Sequence, residues 1–192
     1  MTDPEPLHEL LRRRRSTPSL LLAGPPPARA VLERMVSTAL RVPDHGRLAP
    51  WRILLLEGEP RRTFTEWVMQ RRAAQSPPPA PAQLDKERQK LGTAPVILVV
   101  IARIDGSSRI PEQEQLLSGA CVCFSLLLAA EAEGLGAQWL TGWAAYAPEV
   151  AAFLGLAANE RILGFIHVGQ RQLEAPERQR PALADHFAVW QP

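Results

Sequence analysis

The chain has 192 residues, 46% of them hydrophobic and 22% charged, which suits one folded domain with a sizeable core. Its formal net charge of +2 gives no broad positive field and argues against a nucleic-acid binder. The two cysteines, Cys121 and Cys123, point to different faces of a helix at i and i+2, so they read as small apolar residues rather than a disulfide or metal pair.

Residues 5–14 predict an amphipathic helix, with Leu7, Leu10 and Leu11 on one face and Pro18 as the stop. It ends in Arg12-Arg13-Arg14-Arg15-Ser16. Two readings of this cluster stand side by side. One is cations complementing a helix C-terminus; the other is an anion site, because planar guanidinium forks and a serine hydroxyl suit a phosphate. Residues 19–28 read as a loop with three consecutive prolines, and 28–41 as a helix with Leu32, Met35, Val36, Ala39 and Leu40 on one stripe. The stretch 41–51 sets Arg41 before Pro43 and Asp44, His45, Gly46 and Arg47 between Pro43 and Pro50, so it is a stiffened loop presenting Arg41, His45 and Arg47.

Residues 51–56 are β-capable, 60–74 helical, and 75–82 a proline-rich excursion expected to be mobile and partly polyproline II. A short charged helix over 83–91 precedes the plainest strand, 95–102, whose unbroken apolar run implies burial on both faces. The longest helix spans 112–133 and is apolar nearly all round at its centre, as expected of the core of a domain or of an oligomer. A short strand over 137–141, a helix over 148–154, a strand over 161–169 and a tail over 175–192 complete the chain. His167, inside the last strand, reads as a hydrogen-bonded core residue.

No strand leads into a G-x-G-x-x-G turn, no Walker A sequence or nucleophile elbow is present, and the four histidines are scattered. There is no signal-peptide pattern. The longest apolar run, 116–130, falls short of the roughly 20 residues of a spanning helix, so the expected place is the cytoplasm, with no membrane or nucleic-acid partner.

The order of short motifs resembles the FMN-dependent nitroreductase family, and within it the YdjA-like branch of NAD(P)H nitroreductases. The features are Arg14-Arg15-Ser16 after the first helix, the Pro43–Trp51 loop ending in Pro-Trp, Glu114-Gln115 opening the long helix, Gly134-Leu-Gly136, Gly164 to Gly169, and Arg178-Gln-Arg-Pro181 in the tail. The resemblance implies an α+β nitroreductase-like fold: a mixed central sheet flanked by helices, a long buried core helix and a C-terminal extension toward a partner subunit. It implies one domain over 1–192, acting as a homodimer with FMN at the subunit interface. It further implies a ping-pong route, with NAD(P)H as electron donor and a nitroaromatic, quinone or similar small molecule as acceptor. By the same resemblance, Arg14, Arg15, Ser16 and Arg180, with Arg178, would hold the FMN phosphate or ribityl. Trp139, Leu140 and Thr141 would line the isoalloxazine, Arg41 and His45 would reach the partner's flavin, and 129–134 would be an NAD(P)H contact. The family loop usually reads P-S-x-x-N-x-Q-P-W; here Asp44, Arg47 and Ala49 replace serine, asparagine and glutamine, and Pro18 stands where many members carry a further arginine. Those changes motivate the alternative of a flavin-binding or flavin-sequestering protein with little turnover.

Overall fold

The strand Glu160–Arg171 (β5) is the one to which the rest of the sheet is joined. In the computed structural model, which describes residues 6–191, β3 (Val96–Arg103) runs antiparallel to β5, from Val96 opposite Val168 to Arg103 opposite Glu160. β2 (Trp51–Glu57) pairs with β3 and forms an edge. β4 (Gly136–Leu140) pairs with β5 from Gly169 to Phe165, and the two-residue β1 (Leu22–Ala23) pairs with its last residues.

Every pairing among the described residues is antiparallel, so the mixed sheet implied by the resemblance does not form within one chain. The connections explain this. Two successive helices, α3 (Gly58–Ala73) and α4 (Pro81–Gly92), separate β2 from β3 and return the chain to the end it left. A single helix, α5 (Glu112–Ala132), separates β3 from β4, which therefore run the same way on either side of β5.

Helices cover both faces. Leu32, Met35 and Ala39 of α2 (Arg29–Ala39) and Val122 and Leu126 of α5 pack on Val96, Leu98 and Val100. Phe64 and Val68 of α3, Ala144 and Ala145 of α6 (Trp143–Tyr146) and Val150 of α7 (Pro148–Phe153) pack on Ile97, Val99 and Ile101. The alternation along β3 is thus apolar to both sides, as its sequence implied. The first helix, α1 (Pro6–Arg13), begins within the predicted span, whose residue 5 lies outside the described residues, as does residue 192 of the tail.

Three local differences from the sequence reading have simple causes. β1 and α6 are too short to show a period, and α4 starts at Pro81, earlier than the helix expected over 83–91. α5 has 21 residues and is apolar and long enough for a membrane by length and composition, exceeding the apolar run seen in the sequence. Half of its apolar window is nevertheless buried within the protein, while Leu117 and Phe124 remain 57% and 42% exposed.

Two polar features sit within this framework. Arg52 of β2 donates two hydrogen bonds, of 2.6 and 2.7 Å, to Glu160, tying β2 to the start of β5 across β3 and holding the Glu160 carboxyl down at about 2. His167 corrects the expectation of a hydrogen-bonded core histidine: it is fully buried and neither ring nitrogen has a hydrogen-bond partner among the described residues. Burial, and then the charge of Arg61, push its pKa from 6.5 to about 3. The ring is therefore neutral when folded and protonates only on unfolding, so its contribution to stability worsens as pH falls from 6.5 toward 3.

His167→Leu keeps the volume and removes two unpaired polar atoms. It is expected to raise stability by about 1–3 kcal/mol at neutral pH, with a gain that grows on acidification, in urea unfolding at two pH values. A loss of stability at both would contradict this account of the site.

Candidate functional site

Arg14 follows directly on α1, and its backbone amide still bonds to Leu10. The Arg15 guanidinium folds back onto the Arg12 and Arg14 carbonyls at 2.6 and 2.9 Å, so it also serves the helix-end role considered for the cluster. Arg14 donates to the Ser16 hydroxyl at 3.3 Å. The chain is then pinned along β4: the Thr17 amide donates to the Ala137 carbonyl at 3.1 Å and the Ser19 amide to the Gln138 side chain at 2.6 Å. This crossing explains Gly136, because a Cβ there would press on Leu22, Arg171 and the Thr17 hydroxyl.

At the far end of β5, the Gln172 amide bonds to the Leu21 carbonyl, and the tail turns back over the same corner. Arg14, Arg15, Ser16, Arg178 and Arg180, more than 160 residues apart in sequence, line one cavity of about 130 Å³. A larger one of about 660 Å³ shares Arg14, Arg15 and Arg180 and adds Arg12, Arg13 and Glu177. Arg14 carries the electrostatic signature of the cluster. Its pKa is lowered first by burial and then by the Arg180 charge, with Glu131 opposing and Arg15 adding to the effect. Glu131, whose side chain is 11% exposed, braces the corner from behind by pairing with both Arg13 and Arg171.

A third cavity, of about 330 Å³, lies at the C-terminal end of β4. Trp139, Leu140 and Thr141 line it, facing Trp143, Phe165 and Lys90. The Trp139 indole is fixed by a 3.1 Å bond to the Leu163 carbonyl and lies across Gly164, where any Cβ would collide with it. Trp139 thus packs and lines the cavity at once.

Arg41 and His45 stand apart, on the exposed loop, and line none of these three cavities. The His45 ring is 2.7 Å from Glu114, while no hydrogen bond or ion pair joins the Arg41 guanidinium to another described residue. The loop itself is tightly held. Ser118 of α5 donates to the Pro43 carbonyl at 2.7 Å and accepts from the Trp51 indole at 3.1 Å. Asp44 accepts from the Ala49 amide at 2.8 Å. Buried Gln115 bonds the Asp105 amide and the Asp105 and Ile110 carbonyls, fixing the neighbouring loop against Gly46. Arg47 and Ala49 both adopt left-handed φ values, +57° and +45°. Of the segment 129–134, Ala129 and Ala130 are buried in the core, Glu131 and Glu133 are engaged by arginines, and Ala132 and Gly134 are exposed.

The sequence pattern of the Nitroreductase family matches residues 11–170. The chain belongs to this family. It is 34% identical over 168 residues to the Escherichia coli protein named "Putative NAD(P)H nitroreductase YdjA", covering 87% of this chain and 89% of that one. Among solved structures, a nitroreductase-like family protein of Bacillus cereus superposes over the whole of both chains with a TM-score of 0.81 at 21% identity. NfnB from sphigopyxis sp. strain HMH, described as an FMN and NADPH-dependent nitroreductase, gives 0.76 at 25% identity over 96% of this chain and 98% of its own. These nitroreductases share the α+β fold described above.

The site residues that sequence reasoning passed over are Glu131, Glu177, Ser118 and the Lys90, Trp143 and Phe165 side of the β4 cavity. None belongs to a motif; each acts through a partner distant in sequence.

Ser118→Ala is expected to destabilise the fold by about 2 kcal/mol, since it leaves the Trp51 indole and the Pro43 carbonyl without their shared partner. Trypsin should then cut faster after Arg47. Unchanged stability together with unchanged cleavage would contradict the anchoring role.

Proposed function

We propose that residues 1–192 act as one nitroreductase-like domain that binds FMN and, as a homodimer, passes reducing equivalents from NAD(P)H to a small acceptor such as a nitroaromatic or quinone. The observation that carries this reading is the convergence of Arg14, Arg15, Arg178 and Arg180 with Ser16 on one cavity, in a chain of this family. Mutually repelling guanidiniums, one of them partly buried, fit a group that brings two negative charges and several acceptor oxygens, as a phosphate ester does.

In this reading Arg14 and Arg15 supply charge-assisted hydrogen bonds to the phosphate, Ser16 adds a hydroxyl, and Arg180 with Arg178 closes the cluster from the tail. Bound FMN would supply the hydride-accepting and hydride-donating centre. Trp139, Leu140 and Thr141 orient its ring system and, with Trp143 and Phe165, keep water from the cavity wall. Arg41 and His45, which line none of these cavities in their own chain, serve the site of the partner subunit, with Arg41 joined to no described residue and His45 held by Glu114. No side-chain nucleophile or acid–base pair is required, because the protein's task is binding, orientation and charge.

The homodimer is supported by three surfaces that one chain leaves uncovered: the Leu117–Phe124 side of α5, the β2 edge, and the exposed Phe187, Val189 and Trp190 of the tail. A tail reaching a partner's β2 edge would make the C-terminal extension implied by the resemblance. The name of NfnB and that of YdjA agree in kind with FMN and NAD(P)H here. Free, buried thiol at Cys123 and partly exposed Cys121 suit a cytoplasmic setting.

Arg14→Gln with Arg15→Gln should weaken FMN binding by at least about 100-fold, read by quenching of flavin fluorescence, since two charge-assisted contacts are lost. Affinity equal to that of the wild type would remove the phosphate assignment.

A further inference from the structure

The anion-binding corner contains an anion of its own. Glu177 forms an ion pair with Arg15, reaches Arg180 Nε at 3.3 Å, and accepts a 3.0 Å hydrogen bond from the Arg178 amide. It lines the larger cavity, and its carboxylate takes two of the three guanidiniums that the two cavities share. The other acid there, Glu9, is turned to Arg12, and Arg14 has no acidic partner within pairing distance among the described residues. Glu174, three residues earlier in the same exposed tail, pairs with no described cation.

We propose that Glu177 is an internal stand-in for the phosphate: in the ligand-free chain its carboxylate neutralises Arg15 and Arg180, and a phosphate ester must displace it to bind. The inference rests on the anion-site reading of the preceding section and adds a regulation of that site. Two carboxylate oxygens with one charge use the same donors as a phosphate but offer fewer acceptors and less charge, so the phosphate prevails while its apparent affinity falls. Because Glu177 is tethered, it competes at an effective concentration that dilution cannot lower. Its side chain is 59% exposed, which keeps the competition modest. Displacement also releases the hold of Arg15 on the tail, so cofactor loading and tail position are linked. The tail beyond Glu177 carries Phe187, Val189 and Trp190, the exposed apolar residues that need a partner surface.

The test is calorimetric titration of the purified ligand-free chain with FMN, inorganic phosphate and riboflavin, comparing wild type, Glu177→Gln and Glu174→Gln. In the Glu177 variant, FMN and phosphate should bind about three- to tenfold more tightly, because a competing ion pair of the exposed kind is removed. Riboflavin, which lacks the phosphate, should be unaffected, and the Glu174 variant should match the wild type. Unchanged or weaker FMN binding by Glu177→Gln, or an equal gain from Glu174→Gln, would overturn the stand-in role and leave the anion site intact. Failure of both wild type and Glu177→Gln to bind either FMN or phosphate would overturn the anion-site reading and this inference with it.

Discussion

Repulsion among the guanidiniums of Arg14, Arg15 and Arg180 is the constraint around which this corner of the molecule is arranged. Burial and like charge both act against Arg14, and an isolated chain segment would splay these side chains into water. Three structural devices hold them together. Arg15 is bound to the end of α1, Glu131 pairs with Arg13 and Arg171 behind the cluster, and Glu177 bridges Arg15 and Arg180 in front. The crossing of residues 17–19 over the first residues of β4 fixes the first helix, and the bond from Gln172 to Leu21 starts the tail on its path back. This concentration of positive charge is what the proposed phosphate site draws on.

The geometry also divides the proposed cofactor contacts among separate regions. The arginine corner, the β4 cavity and the loop carrying Arg41 and His45 occupy different places in one chain, and the loop is locked by Ser118, Trp51 and Asp44 rather than free to swing inward. A rigid loop whose Arg41 pairs with no described residue, beside a helix whose exposed side is apolar, is what the proposed homodimer would bring against a second chain. Arg47 and Ala49 both take left-handed φ values, so the loop holds locally strained backbone within this network.

Much of the fold was legible because the signals were periodic and long. The two-sided apolar run of β3, the stripe on α2 and the length of α5 each dictated their own burial. β1 and α6 were not legible, since two and four residues carry no period and form only because β5 and the sheet face are there to receive them. The arginine motif identified its own neighbourhood, but its link to Arg178 and Arg180 came from the order of motifs, not from the charges themselves. Glu131 and Glu177 could not be picked out from twenty acidic residues, because their roles arise only from partners brought near by folding. His167 misled for the opposite reason: the sequence shows a polar residue in an apolar strand but not whether a partner is waiting, and none is.

The most direct measurement is the visible absorption spectrum of the purified protein, recorded after FMN loading and desalting and again on anaerobic addition of NADH or NADPH. A retained flavin spectrum that is bleached by one of the nucleotides is the predicted result and identifies the donor. A retained spectrum that neither nucleotide bleaches would contradict the reductase reading and favour a flavin-binding protein, and a protein that stays colourless would contradict FMN binding itself.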